Sequence, residues 1–361
     1  MTGDALTLGV EEEFLLVDAE GRLSELGPDI VGSESWPESG LQRELVRCQV
    51  ETATPVCDGI EELLAQVRKL RRQLTDRAVA RELRLMPSGT PVLPEPGPPP
   101  ITPNPRYHRI AREFGAITDT AGTCSCHVHV GVPDRAAGVA VSNRLRAWLP
   151  VLLALTANSP FDGGHDTGYC SWRHVRWARW PSSGPPPVFS SVDHYDTVVQ
   201  ALLRAGAVLD RGMVYWDIRL SEKQPTLEVR VCDVPGTADE AALLAAIVRG
   251  LVATALQDTG RAPRPTPDVL RAALWRAARD GLDGHGFDPL TATLRPMREQ
   301  LARLTAYVRP ALRDAGDLDF VTARLARLTT TGDGASRQRA AYAERRALRD
   351  VVDMLARQTN C

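Results

Sequence analysis

The chain has 361 residues, 43% hydrophobic and 24% charged, with 43 lysines and arginines against 45 aspartates and glutamates for a formal net charge of -2. That is the composition of a globular protein with ample material for a core, and it excludes a disordered chain. Without a basic excess to gather polyanions, it also argues against nucleic acid or a membrane surface as partner.

The start, Met1-Thr2-Gly3-Asp4, shows no cationic region leading into an apolar run, so no secretory signal is expected. The first patterned stretch runs from Leu6 to Asp18 and predicts a strand. Successive side chains of a strand point to opposite faces, so Glu11 and Glu13 share one face while Glu12 joins Val10, Phe14 and Leu16 on the other. Two like charges side by side call for water, an arginine or a cation, and a hard divalent cation answers best; a solvated acidic strand is the alternative.

A Gly/Ser/Pro-rich connection, Gly21 to Gly40, leads to a predicted strand from Leu45 to Thr52 that carries Glu51. Ile60, Leu63, Leu64, Val67, Leu70 and Leu74 then recur at helical spacing, predicting a helix from Ile60 to Leu83 with Asp58 as its cap and a sheet beneath it. Met86 to Pro105 is too rich in proline for helix or interior strand, and reads as a long ordered loop over a site in preference to a domain linker. A short helix follows from Tyr107 to Phe114.

The stretch from Cys124 to Val132 predicts a strand with His127 and His129 on one face and Cys124 and Cys126 on the other. One tetrahedral site cannot easily use all four, so a functional histidine pair is the preferred reading, with a structural zinc and packed core histidines as alternatives. Asp134 to Asn158 looks helical around Leu145, Trp148, Leu152 and Leu155. The segment from Asn158 to Arg173 is polar, aromatic and without period, and continues through Arg176, Trp177, Arg179 and Trp180 to the turn at Pro181 to Pro187. It reads as a binding loop or as a surface packed by cation-π contacts.

Asp193 to Ala205 predicts a helix, and Tyr215 to Arg219 and Pro225 to Asp233 predict strands. In the second, Leu227, Val229 and Val231 share one face and Glu228 and Arg230 the other, which gives either a polar site wall or a cross-strand ion pair. From Asp239 to Cys361 the pattern is helical, with breaks at Pro263 to Pro267, Gly281 to Asp288 and Gly332 to Gly334; Trp275, Arg276, Arg279, Arg337 and Arg339 stand as candidates to reach a site. The apolar runs Val151 to Ala157 and Ala241 to Leu256 are short or broken by Pro150 and Arg249, too little for a spanning helix. Seven cysteines, an odd number without framework spacing, fit a reducing compartment, so a cytoplasmic protein is expected. There is no internal repeat. The whole of 1–361 is expected to be one catalytic domain, with a mixed core to 240 and a mainly helical part from 241.

Glu11/Glu13, Glu51, His127/His129 and Glu228/Arg230 thus lie on separate predicted strands, each backed by an apolar face. Several carboxylates with histidine suit magnesium or manganese better than zinc, and the adjacent arginines suit phosphate. Lys69 and Lys223 are the only lysines and no GxxxxGK[ST] or GxGxxG stretch occurs, so a nucleotide would be held by arginine and metal. The chemistry indicated is nucleotide-dependent transfer.

At these residues the sequence resembles the carboxylate-amine ligases of the glutamate-cysteine ligase type 2 family. The matching segments are Gly9 to Phe14, Gln49 to Glu51, Cys126 to Val132, Asn158 to Phe161 with Asp166 to Tyr169, and Thr226 to Arg230, in the family's order over roughly the whole chain. The resemblance implies an α+β, glutamine-synthetase-like fold: a curved antiparallel sheet whose concave face binds ATP and Mg2+ or Mn2+, with helices on its outer face and a helical C-terminal part. It implies Glu11, Glu13, Glu51, His127 and Glu228 as metal ligands, with Glu44 a weaker candidate. Arg230, His129 and Arg173 would be catalytic, Arg230 and His129 contacting the nucleotide phosphates, and Arg173, His165, Tyr169 and Arg219 would bind substrate.

The reaction so implied joins a carboxylate, glutamate by its γ-carboxylate, to an amine such as cysteine through an acyl phosphate, with a homo-oligomer possible. The sequence departs from the family pattern at Ser125, where glycine is common, at Asp162 (an aromatic), at His165 (arginine) and at Cys170 (alanine), three of them in the presumed substrate loop. A metal-dependent amide hydrolase and a guanidino-type kinase are the other readings of the same residues.

Overall fold

The computed structural model describes residues 6–32, 39–120, 122–260 and 263–360. The Met1 to Asp4 start, part of the Gly21 to Gly40 connection and Cys361 lie outside them. In chain order the first half runs β1 (Leu8–Val17), α1 (Gly27–Val31), β2 (Leu41–Arg43), β3 (Gln49–Ala53), α2 (Ile60–Val79), β4 (Arg84–Met86), α3 (Pro105–Phe114) and β5 (Ser125–Gly131). Then come α4 (Arg135–Leu145), α5 (Leu149–Leu155), the small hairpin β6 (Phe161–Asp162) and β7 (His165–Asp166), α6 (Trp172–Trp177), α7 (Val192–Arg204), β8 (Ile218–Leu220) and β9 (Thr226–Asp233). The remainder is α8 (Ala238–Gln257), α9 (Pro267–Asp280), a hairpin of β10 (His285–Asp288) and β11 (Thr293–Pro296), and helices α10 (Met297–Asp314), α11 (Leu318–Thr331), α12 (Gly334–Arg345) and α13 (Leu348–Gln358).

Seven strands form one sheet in the order β2-β3-β1-β5-β9-β8, with β4 paired to the far end of β1, and every ladder is antiparallel. Alternation divides its faces as the sequence predicts. Val10, Val128, Val130, Leu227 and Val229 turn to one side and are buried with Leu63, Leu64 and Val67 of α2 and the apolar faces of α5 and α8. Phe14 and Leu16 continue that face into a second cluster with Leu70 and Leu74 of α2 and Val351, Val352 and Leu355 of α13. Helix α8 is buried almost all round, as befits a helix that is apolar all round; it starts with a capping box between Thr237 and Glu240. Its one interior cation, Arg249, is buried and pairs with Asp317 at 2.5 Å. Among the described residues, no helix is long and apolar enough to cross a membrane.

Several element boundaries differ from expectation. The strand predicted from Leu45 begins only at Gln49, because the backbone before it pairs with the proline-rich stretch instead: the Arg47 N–H donates to the Pro100 carbonyl and the Thr102 N–H to the Leu45 carbonyl, both at 2.9 Å. That stretch is tied down along its length, with Ser88, Thr90 and Val92 buried and the Cys124 N–H donating to the Gly89 carbonyl. Helix α2 ends at Val79 and its N-cap is Gly59, while Asp58 makes no cap. The Asn158 to Arg173 segment contains the β6–β7 hairpin and runs into α6, and the Gly281 to Asp288 break opens the β10–β11 hairpin.

Glu12, on the helix side of the sheet, is 1% exposed and receives Nε and one terminal nitrogen of Arg71 from α2 at 2.9 and 2.6 Å. The rest of that guanidinium donates to the carbonyls of Pro235, Gly236 and Thr359. A buried pair of this kind is costly to break from one side, since the orphaned charge keeps its desolvation penalty. Arg71→Met is therefore expected to lower the unfolding free energy by about 3–5 kcal/mol in urea titrations, with part recovered when Glu12→Gln is added. A loss below about 1 kcal/mol would contradict the pair's structural role.

Candidate active site

The other face of the sheet is polar, and ladder register decides which of its side chains meet. Glu13 lies opposite Glu51, and Glu51 opposite Gln42. Glu11 lies opposite His127, while His129, Glu228 and Arg219 form one row across three strands. Directly opposed residues bring their Cβ atoms to about 5 Å, so these rows are contacts by construction. Between Cys126↔Cys232 and Val128↔Val229 the register shifts, leaving His127 facing both Arg230 and Val231. This bulge re-aims Arg230, whose terminal nitrogen lies 3.3 Å from His127 Nδ1.

His127 Nδ1 is 3.2 Å from Glu11 and its Nε2 is 2.8 Å from the Ser125 hydroxyl. Burial, helped by the Arg230 charge, holds His127 below its ordinary pKa, so the neutral ring donates from Nδ1 to Glu11 and accepts from Ser125. The Ser125 N–H donates to Glu13 at 2.7 Å. His129 approaches Glu11 at 3.6 Å and Glu228 at 4.0 Å. Its own burial works against the charged form, but the Glu228 and Glu11 carboxylates raise its pKa.

Glu228 is 2% exposed and carries two arginines: Arg219 holds it by Nε at 2.8 Å and by a terminal nitrogen at 3.2 Å, and Arg230 hydrogen-bonds it from the same strand. Burial opposes its ionisation, yet Arg219 and Arg230 hold it well below the usual carboxylate range. Burial likewise opposes ionisation of Glu11, which its bond to His127 and the nearby His129 imidazole nevertheless hold low. The other end of the site behaves in the opposite way. Burial, with the Glu13 charge, pushes Glu44 up to about 7, and burial with the charges of Glu11 and Glu44 raises Glu51 well above its ordinary value.

Three sets of residues each place one ligand atom per residue within 4.8 Å: Glu11, Glu51 and His127; Glu11, His129 and Glu228; and Glu13, Glu44 and Glu51. Oxygen-dominated sets with one imidazole fit hard divalent cations such as Mg2+ or Mn2+, and the buried His129 Nε2, which has no hydrogen-bond partner, is aimed into such a set. No set contains a cysteine, and Cys124 and Cys126 are packed in the cores behind the sheet. Glu11 and His129 also border a cavity of about 1470 Å³ that runs outward between the ends of β1, β3, β5 and β9 and the α2 face bearing Gln66, Lys69 and Gln73.

All five carboxylate and histidine positions expected to hold metal therefore meet, and Glu44 joins them. Arg219, expected to bind substrate, instead clamps Glu228 and donates to the Gly212 and Val214 carbonyls. Arg173, expected among the catalytic groups, is buried with its terminal nitrogens 3.3 Å from the Arg230 and Val231 carbonyls and its guanidinium over Trp177. It braces β9 from behind Arg230. His165 is exposed on the β6–β7 turn, where Nδ1 lies 2.9 Å from the Gly163 carbonyl. Tyr169 packs on Trp172 beneath Arg279 and accepts from Trp275. None of the contacts of His165 or Tyr169 reaches the carboxylate cluster, because the hairpin folds against α9 and α12 instead; Arg339 of α12 pairs with Asp166.

The family model for glutamate-cysteine ligase family 2 matches residues 7–354. A Rhodococcus jostii protein provisionally named glutamate–cysteine ligase 2-1 is 53% identical over 360 residues, covering 99% of this chain and 97% of that protein. A Mycolicibacterium vanbaalenii protein provisionally named glutamate–cysteine ligase 2-2 is 51% identical over 358 residues, covering 98% and 97%. Among solved structures, the fold is similar to that of a Francisella tularensis glutamate–cysteine ligase in complex with AMP, with a TM-score of 0.73 at 14% identity over 99% of this chain and 89% of that one.

The raised pKa values of Glu44 and Glu51 make cation binding proton-linked. At pH 6 the metal-free Glu44 holds a proton that a divalent cation must displace, so Mn2+ affinity is expected to rise between pH 6 and pH 8, with proton release from Glu44 largest at the lower pH. Calorimetry in two buffers of different ionisation enthalpy measures both. Affinity and proton release that do not change with pH would contradict this proton linkage.

Proposed function

The chain belongs to glutamate-cysteine ligase family 2, and from that premise we propose that it joins the γ-carboxylate of glutamate to an amine at the expense of ATP, through an acyl phosphate. The observation that carries the reading is the convergence of the three overlapping ligand sets on Glu11 and Glu51, with Arg230 beside them and the large cavity opening from Glu11 and His129. The names of the relatives support glutamate as the carboxylate and cysteine as one acceptor.

A carboxylate is a poor acyl donor, and phosphorylation makes it a good one. A nucleotide would be taken up in this cavity, with its phosphates towards the Glu11/His129 end. Glu13, Glu44 and Glu51, and Glu11, His129 and Glu228 with His127 beside them, would hold divalent cations, which would neutralise the polyphosphate and the charge that develops on transfer. Arg230, fixed between Glu228 and the bulge, faces the phosphoryl group in flight. Its aim is set before substrate arrives, because Arg219 and Arg173 hold Glu228 and the β9 carbonyls on either side. The second step needs only a neutral amine nitrogen near the acyl carbon, so no enzyme nucleophile is required and the six described cysteines, all free and buried, stay out of the chemistry. Free thiols and ATP use fit a cytoplasmic setting.

The test is Mg2+-dependent release of ADP and phosphate with glutamate, screened over cysteine and a panel of other amines, with mass spectrometry of the products. One amide per ADP is expected. Arg230→Gln and Glu228→Ala are expected to lower the rate at least ~100-fold. Amide formation that survives Glu228→Ala would contradict the site, and ADP release without any amide would make the protein a kinase.

A further inference from the structure

The ladder between β8 and β9 continues beyond β8: the Arg230 N–H donates to the Asp217 carbonyl at 2.8 Å, and the Asp217 N–H donates to the Gly184 carbonyl at 2.9 Å. Alternation therefore puts Tyr215, Asp217 and Arg219 on the site face, while Trp216, Ile218 and Leu220 turn into the core. Contacts on either side of Asp217 agree. Arg219 clamps Glu228, and the Arg230 guanidinium lies 5.9 Å from the centre of the Tyr215 ring. Asp217 thus stands across the ladder from the arginine that faces the phosphoryl group.

Its side chain is 3% exposed, and Oδ2 has no hydrogen-bond partner; the same is true of Nε in Arg230 and in Arg173. The charged groups that face it are Arg173 from α6 and Arg230 from β9, with the Cys232 thiol as the remaining titratable neighbour. Burial pushes the Asp217 carboxyl up to about 7 in spite of both arginines. A buried carboxylate with a vacant acceptor, between two guanidinium groups with vacant donors, is costly alone and fits a ligand that offers an N–H to the one and oxygens to the others. An amine poised beside an acyl phosphate is such a ligand.

We propose that Asp217 is the base that takes a proton from the acceptor amine. The proposal rests on the ligase reading above. An amine enters as its ammonium ion, which has no lone pair for attack. Asp217 removes one proton, the nitrogen adds to the acyl carbon, and the C–N bond forms. The C–O bond to the phosphate then breaks, the phosphate leaving with the bonding pair and with the second proton shed by nitrogen, and Asp217 returns its proton to solvent. The base suits the task because it lies across the ladder from Arg230 and its pKa is pushed up to about 7.

Hydroxylamine provides the test, because it is unprotonated at neutral pH and needs no base. Wild type and Asp217→Asn are compared in hydroxamate formation from glutamate and ATP, and in amide formation with the amine of the panel that wild type uses fastest. The substitution is expected to lower amide formation about 10²–10⁴-fold at pH 7.5 while hydroxamate formation falls less than about tenfold, and the gap should narrow towards pH 9. Equal loss of both, or loss of neither, would overturn the assignment and leave Asp217 as a buried structural carboxyl beside Arg173 and Arg230. Should the variant not fold, the wild-type pH profiles decide: an acid limb near pH 7 is expected for the amide and not for the hydroxamate, and coincident limbs would overturn it. A wild-type enzyme that forms neither product would instead sink the ligase reading itself.

Discussion

The crowding of carboxylates on one sheet face is the constraint on which the rest of the structure depends. Glu11, Glu13, Glu44, Glu51 and Glu228 are held close enough to share ligand sets; Glu51 and Glu228 are buried and the other three half-buried. Like charges in that setting repel and lose hydration together, so the chain needs both a rigid scaffold and local compensation. The scaffold is the antiparallel sheet, backed on its other face by α2, α5 and α8. Compensation is uneven: Arg219, Arg230, His127 and His129 serve Glu11 and Glu228, while Glu44 receives the Leu45 N–H and no cationic side chain is among the groups that shift Glu44 or Glu51. The site is poised at one end and strained at the other, and a divalent cation relieves the strained end.

Period-two alternation made much of this legible from sequence. In β5 and β9 each polar site residue sits between apolar neighbours, and in β1 Glu12 alternates with Val10, Phe14 and Leu16, so Glu11/Glu13, His127/His129 and Glu228/Arg230 each fall on one face before any partner strand is known. The same rule applied to Tyr215-Trp216-Asp217-Ile218-Arg219 picks out Asp217, a signal that the louder Glu228/Arg230 pair beside it obscured. What alternation cannot show is a bulge, because the extra residue in β9 exists only relative to β5. It cannot place an arginine in a segment without period either. The family resemblance implies a catalytic and substrate-binding role for Arg173, whereas in the structure its guanidinium turns towards the backbone carbonyls of β9. The start of β3 was misjudged for a related reason: Leu45 to Cys48 has strand-like residues, but its backbone partners come from a proline-rich segment about 55 residues later that no local pattern announces.

The four departures from the family pattern fall into two places. Asp162 is tied by Trp172 and Arg176, His165 is exposed, and Cys170 is buried against α9 and α12. The side chains of these three bond within the segment around the hairpin and to α12, and none of these partners is a site carboxylate. Ser125 is different, since its hydroxyl reaches His127 and its N–H reaches Glu13, so one residue links both rows of the site. A glycine would keep the backbone bond and leave His127 Nε2 without its hydroxyl partner.

The Arg71 hub has a consequence for biogenesis. The strand that carries the first site carboxylates is made from residue 8 onward, yet the charge of Glu12 at its centre is neutralised by residue 71, whose remaining donors are satisfied by carbonyls at positions 235, 236 and 359. A nascent chain on the ribosome can assemble β1, β3 and α2 early. It cannot close the buried polar network until the end of α13 has emerged. Metal-binding competence should therefore arrive late in synthesis, which keeps a half-made carboxylate cluster from capturing cations before the fold that orders them is complete.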